Sequence, residues 1–255
     1  SVERPLAMDS TGQLVASILS KKIAAGSTHL LIDIPVGPSA KVHQNHDALK
    51  LRKLFEYIGD LFGLHIDVVF SDGSQPIGNG IGPALEARDV QQVLSNQENA
   101  PRDLREKSLK LAGRILEFDP DIRGGQGYII ARDILESGRA YEKMQAIIDA
   151  QGRVDSTQKK ARLAQPVIAK TTGYVHAIDN LKIATIASLA GAPIDKYAGI
   201  HLIKKVADKV TKGDVLFIIY ADFNSNFDFA TEFADENEVY SIKNTAPVAQ
   251  DNYFI

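Results

Sequence analysis

The chain contains no cysteine among its 255 residues. That absence removes disulfides, thiolate nucleophiles and cysteine-based zinc sites together, and it fits a reducing compartment such as the cytoplasm. A dominant charge is also missing. Lysine and arginine number 29 against 32 acidic residues, a formal net charge of −3, so no global basic field attracts nucleic acid or an anionic membrane surface. The longest apolar runs, such as Val215 to Tyr220, fall well short of the roughly 20 residues that a membrane-spanning helix needs. A soluble protein handling small molecules is the expectation. The opening "SVERPLAMD" has neither an initiator methionine nor the charged-then-apolar pattern of a secretory signal. It leads us to expect a chain that begins partway through something longer.

What is present suffices for a substantial core, since hydrophobic residues make up 44% of the chain. Leu14, Val15, Ile18, Leu19 and Ile23 fall on one arc at helical spacing, and Gly26 supplies a stop, so Gln13 to Ala25 reads as a helix. On that wheel Ser17 and Lys21 sit together beside the apolar arc. "THLLIDIPVG" then reads as a nearly continuous apolar strand, His46 to Leu64 as an amphipathic helix, and "HIDVVFSDG" as a second strand. Strand, helix, strand in this order predicts a βαβ unit with a parallel sheet. A Gly/Pro loop follows, feeding a helix that starts at Pro83. Pro101 to Phe118 and Tyr128 to Ala150 add helices, the second broken near Gly138.

After the polar stretch "GRVDSTQKKARLAQP" the texture changes to short β-prone runs between glycines, with one helical insert at Leu181 to Leu189. The predicted class is therefore α/β: a mixed or parallel sheet flanked by helices, then a smaller β-rich, barrel-sandwich-like C-terminal domain. "KKVADKVTKGDVLFIIYA" suggests paired hairpins of the biotinyl or lipoyl type. A carrier domain places its modifiable lysine at a hairpin tip, typically beside methionine, and the two methionines lie elsewhere, at positions 8 and 144. The segment thus reads as structural, and a non-catalytic binding or carrier module stands as the alternative function.

Few residues stand out for chemistry. His43 and His46 are the only neighbouring histidines, and no metal-ligand spacing occurs. "GNGIG" at a helix start either cradles a phosphate with backbone amides or permits a tight turn, and the turn is favoured. Arg4, Asp9, Ser17, Lys21 and Lys41 form the polar set around the first helix and first strand. Loops beyond the carboxyl ends of parallel strands are where α/β proteins bind ligands, which favours Lys41, just after "IDIPVG", as an anion contact.

Six segments in order, "LVASILSKKIAAG", "LLIDIPVGPSAKV", "QPIGNGIGPALEARDV", "SGRAYEKMQAIIDAQG", "KTTGYVHAID" and "KKVADKVTKGDVLFIIYA", resemble the thymidine/pyrimidine-nucleoside phosphorylase family. The resemblance is nearest to its AMP phosphorylase and thymidine phosphorylase-like branch. It implies phosphorolysis: inorganic phosphate displaces a nucleobase from C1 of a pentose, giving a pentose 1-phosphate, with no cofactor. By this resemblance Asp9 matches the proton donor, Ser17 and Lys41 match nucleotide contacts, and Ser17 with Lys21 matches the pair that holds a pyrimidine. Arg4 matches a base-binding arginine, although its spacing to Ser17 is shorter than in those enzymes. Residues 1–26 would be the remnant of a helical domain with the base-binding helix, 27–160 the α/β domain and 161–255 the C-terminal β-rich domain. The glycine-rich phosphate loop of the family would precede this chain, so the chain alone is expected to be inactive and the full-length protein a homodimer.

Asp9 carries a competing reading, because "MDSTGQL" also looks like a helix cap. Donation at neutral pH would further require its pKa to rise from near 4, by desolvation, or a bridging water. Ala207 stands in "VADKV" where the family turn commonly has glycine.

Overall fold

A computed structural model describes residues 11–154 and 160–247. Arg4 and Asp9 lie outside the described residues. The order is α1 (Thr11–Ala24), β1 (His29–Val36), α2 (Asn45–Leu61), β2 (His65–Asp72), β3 (Gly80–Ile81), α3 (Pro83–Leu94), α4 (Arg102–Leu116), α5 (Gln126–Glu136) and α6 (Arg139–Ala150). The remainder comprises β4 (Leu163–Ile168), β5 (Gly173–Ile178), α7 (Asn180–Leu189), β6 (Gly199–Leu202), β7 (Lys209–Val210), β8 (Val215–Ala221), α8 (Asn224–Glu236) and β9 (Tyr240–Lys243).

The βαβ expectation holds, as β1 and β2 pair in parallel from His29 opposite His65 to Val36 opposite Asp72. Period-two alternation then gives the two faces different partners. Leu30, Ile34, Val68 and Phe70 join Val15 and Leu19 of α1 and Leu51 and Phe55 of α2 in one apolar cluster. The opposite face mixes apolar residues, Leu31 and the buried Val69, with paired charges. Asp33 and Ser71 meet Lys107 of α4 at 2.6 and 2.9 Å, and Asp67 takes a two-pronged hydrogen bond from Arg114, 2.8 Å at each prong. The strand that reads as continuously apolar is thus covered on its second face by α4 through paired charges.

Glycine and proline act where the sequence placed them. Pro83 opens α3, and Gly138, in the left-handed region at φ 82°, separates α5 from α6. Val93, Leu109, Ala131 and Leu135 form the small core of α3 to α6.

The C-terminal portion builds two antiparallel sheets, β3-β6-β8-β4 and β7-β5-β9. Val175, Ile183, Ile186, Ile200, Phe217 and Ile219 form their shared core, each such side chain contributing about 1.5–3 kcal/mol by leaving water. β3 comes from the first half of the sequence yet pairs with β6, so the halves are joined by strand hydrogen bonds. A second helix, α8, interrupts the β-rich run where only α7 was expected.

Candidate functional site

β1 ends at Val36 for reasons visible in its backbone. Thr28 and Val36 direct their carbonyls to β2, accepting from His65 and Gly73 at 2.9 and 2.8 Å. The alternation puts Pro35 on the outer edge, where its missing N–H costs no ladder bond. Gly37 then passes against Gly73 so closely that a Cβ there would stand 2.4 Å from the Gly73 carbonyl carbon. The chain folds back at once: Gly37 N–H donates to Val42 O at 3.1 Å, and Val42 is buried beside Val36. Lys41 is the exposed residue just before that anchor.

This loop separates two concavities and His43 lines both. Its Nδ1 lies 3.3 Å from Gly37 O. The larger is a cleft of about 1340 Å³ between the carboxyl ends of β1 and β2 and the C-terminal portion. Asp72, Asp179 and Lys182 on its walls are engaged in local structure. Asp72 accepts from Ser74 N–H at 2.8 Å, Asp179 caps α7 through Leu181 and Lys182 N–H at 3.0 and 3.1 Å, and Lys182 donates to Glu238 O at 2.8 Å. His176 pairs with Thr245 O.

The smaller concavity, about 320 Å³, lies between the first turns of α1 and the start of α2, and its walls include Thr11, Leu14, Lys41, Asp47 and Lys50. Lys41 therefore faces the N-terminal end of α1, the helix that carries Ser17 and Lys21. Both of these are exposed. At 100° per residue they share the flank of Leu14, but neither lines the pocket. Asp47 and Lys50 escape a reading of α2 that follows only its apolar stripe; their three-residue spacing on the helix was the available signal.

The "GNGIG" amides are already used. Asp89, 2% exposed, accepts from Asn79 and Gly80 N–H, both at 2.6 Å. A Cβ on Gly80 would meet Leu85 backbone at 2.4 Å. These glycines serve close packing and a carboxylate of the chain itself, as the turn reading predicts.

Residues 174–241 match the pyrimidine nucleoside phosphorylase C-terminal domain. Over 246 residues the chain is 61% identical to a Methylococcus capsulatus protein named "Putative thymidine phosphorylase", covering 96% of this chain and 48% of that protein. It is 57% identical over 245 residues to a protein of the same name from Albidiferax ferrireducens, covering 95% and 47%. Another so named, from Rhodopseudomonas palustris, is 54% identical over 242 residues, covering 95% and 47%. The chain spans about half the length of the curated relatives it matches.

Proposed function

We propose that the chain, which matches about half the length of proteins named "Putative thymidine phosphorylase" and carries a match to the pyrimidine nucleoside phosphorylase C-terminal domain, supplies the nucleoside-binding side of a phosphorolytic site in the thymidine/pyrimidine-nucleoside phosphorylase family. In the reaction a phosphate oxygen forms a bond to C1 of the pentose while the N-glycosidic bond breaks. The bonding pair leaves with the base, and the sugar departs as its 1-phosphate. The barrier is charge separation: cationic character at C1 and negative charge on the base.

The residues divide accordingly. Ser17 and Lys21 of α1, with Arg4, hold the heterocycle and stabilise its charge. Asp9 gives a proton to the leaving base. Lys41 contacts an anionic group of the substrate, which favours a nucleoside monophosphate over a nucleoside. The observation that carries this reading is the meeting of Lys41 with the first turns of α1 in one pocket, in a chain 61% identical to such a protein along 96% of its length. Phosphate would be bound by the portion that the relatives carry beyond this match, so phosphorolysis needs the full-length protein. The same reading includes a homodimer acting in cytoplasmic nucleotide salvage.

The test is to incubate full-length protein with inorganic phosphate and a panel of nucleosides and nucleoside 5′-monophosphates, and to follow free base. Release of base and of pentose 1-phosphate is expected; no release from any member overturns the reading. Asp9→Asn should depress turnover and change its pH profile; loss of stability with turnover intact would assign Asp9 to the cap.

A further inference from the structure

Lys50 is absent from the motifs that carry the family resemblance, yet it lines the same 320 Å³ pocket as Lys41. It sits in the first turns of α2, and its ammonium lies 3.5 Å from Asp47 Oδ1. The same carboxylate oxygen is held more closely by His46 Nε2, at 2.9 Å. Both groups of the Lys50–Asp47 pair face solvent, with 70% and 48% of their side-chain surface exposed. Such a pair contributes little and separates easily.

We infer that Lys50 and Asp47 are an antagonistic specificity pair for an anionic substrate tail: Lys50 reaches from Asp47 to a phosphate held by Lys41, and Asp47 opposes that phosphate. This rests on the phosphorolysis reading and names the groups that discriminate the 5′-monophosphate from the bare nucleoside. Among the described residues the pocket walls bring together Lys41, Lys50, Asp47 and His43. α2 adds the partial positive charge of its N-terminus, and its capping residue Gln44 makes no side-chain hydrogen bond to the first-turn amides. A monoanion or dianion entering here gains two ammonium contacts and meets one like charge. A neutral nucleoside gains neither and loses nothing.

The pair gives opposite expectations that a packing role would not. In the full-length protein, Lys50→Gln should raise KM for adenosine and thymidine 5′-monophosphates about tenfold, the scale of one lost charge contact. Asp47→Asn should lower it several-fold, and KM for adenosine and thymidine should stay within about twofold in both variants. The variants' effects should shrink as salt is raised. Equal changes for nucleosides and monophosphates, or changes of the same sign in the two variants, overturn the inference while leaving phosphorolysis intact. If wild type releases no base from any substrate, phosphorolysis fails instead. Calorimetric titration with the same monophosphates then decides the pocket: binding weakened by Lys50→Gln and strengthened by Asp47→Asn sustains it, and any other pattern overturns it.

Discussion

Arg88 Nη2 lies 2.7 Å from His201 Nδ1, joining α3 to β6 where the two halves of the chain meet. A guanidinium only donates, so Nδ1 accepts and the imidazole is neutral with its proton on Nε2. Burial first, then the Arg88 charge, hold the His201 pKa below the ordinary 6.5, while Asp89 and the Asn79 backbone pull it upward. The unfolded chain therefore binds this proton before the folded one does, and the linkage has a definite sign. Stability is fully present above about pH 6.5 and falls as pH drops from there toward the lower folded value. His201→Asn keeps an acceptor near Nδ1 without a titrating ring. Its urea midpoint, measured between about pH 7.5 and 5, should fall less steeply than that of wild type; parallel slopes would refute the assignment.

Asp89 beside it is a buried carboxylate with a structural task. Its Oδ2 takes both Asn79 and Gly80 N–H, while Oδ1 has no hydrogen-bond partner and lies 3.6 Å from Arg88 Nη2. Asp89→Ala would orphan both amides and leave Arg88 without its nearby anion. The expected loss is about 2–4 kcal/mol, read from equilibrium unfolding. Asp89→Asn retains one oxygen for the two amides, so its loss should be smaller. A loss below about 1 kcal/mol for the alanine variant would mean that water replaces the carboxylate.

Much of this arrangement was legible in the chain, and the remainder was hidden for identifiable reasons. Pro83 at the start of α3 and Gly138 between α5 and α6 are local backbone constraints, which a sequence displays directly. α8 was hidden because its fully buried residues are Ala230 and Ala234, too small to mark an apolar stripe. The α4 cover of the sheet was hidden because Asp33 and Asp67 look like breaks in an apolar strand until Lys107 and Arg114 of α4 are placed opposite. Strand-end logic put Lys41 just beyond β1, and it lines the smaller pocket there. That it shares a pocket with Lys50 depends on how the Gly37 to Val42 loop folds back beside the close Gly37–Gly73 approach, between residues distant in sequence.

Ala207 makes a prediction in the stabilising direction. It occupies the left-handed region at φ 76°, in the turn where the resembling family commonly has glycine, and its N–H donates to Val175 O at 2.8 Å. An L-residue there costs roughly 1–2 kcal/mol, part of which glycine returns through the greater entropy of its unfolded chain. Ala207→Gly should stabilise by about 0.5–1 kcal/mol, raising the urea midpoint with an unchanged m-value. A lowered midpoint would show that the turn tolerates alanine without strain.

Lys205 fastens this turn to the first half of the chain. Its ammonium donates to Pro76 O at 2.6 Å, to Gly78 O, and to Asp103 Oδ2 at 3.0 Å, and Asp103 Oδ2 also accepts from Gly78 N–H at 3.2 Å. One cation thus satisfies two loop carbonyls and one carboxylate, with only 20% of its side chain exposed. Lys205→Met keeps the aliphatic stem and removes all three donors, for an expected loss of about 2 kcal/mol. Asp103→Asn alone should cost less, because the two carbonyls keep their partner. In the double variant the losses should fall short of additive by about 1 kcal/mol, since each single change already breaks the shared ion pair. Hydrogen exchange gives the local readout: Lys205→Met should accelerate exchange at Gly78, Asn79 and Gly80 while leaving the β1–β2 amides unchanged. Equal acceleration in both regions would mean that Lys205 contributes only to global stability and does not hold this loop.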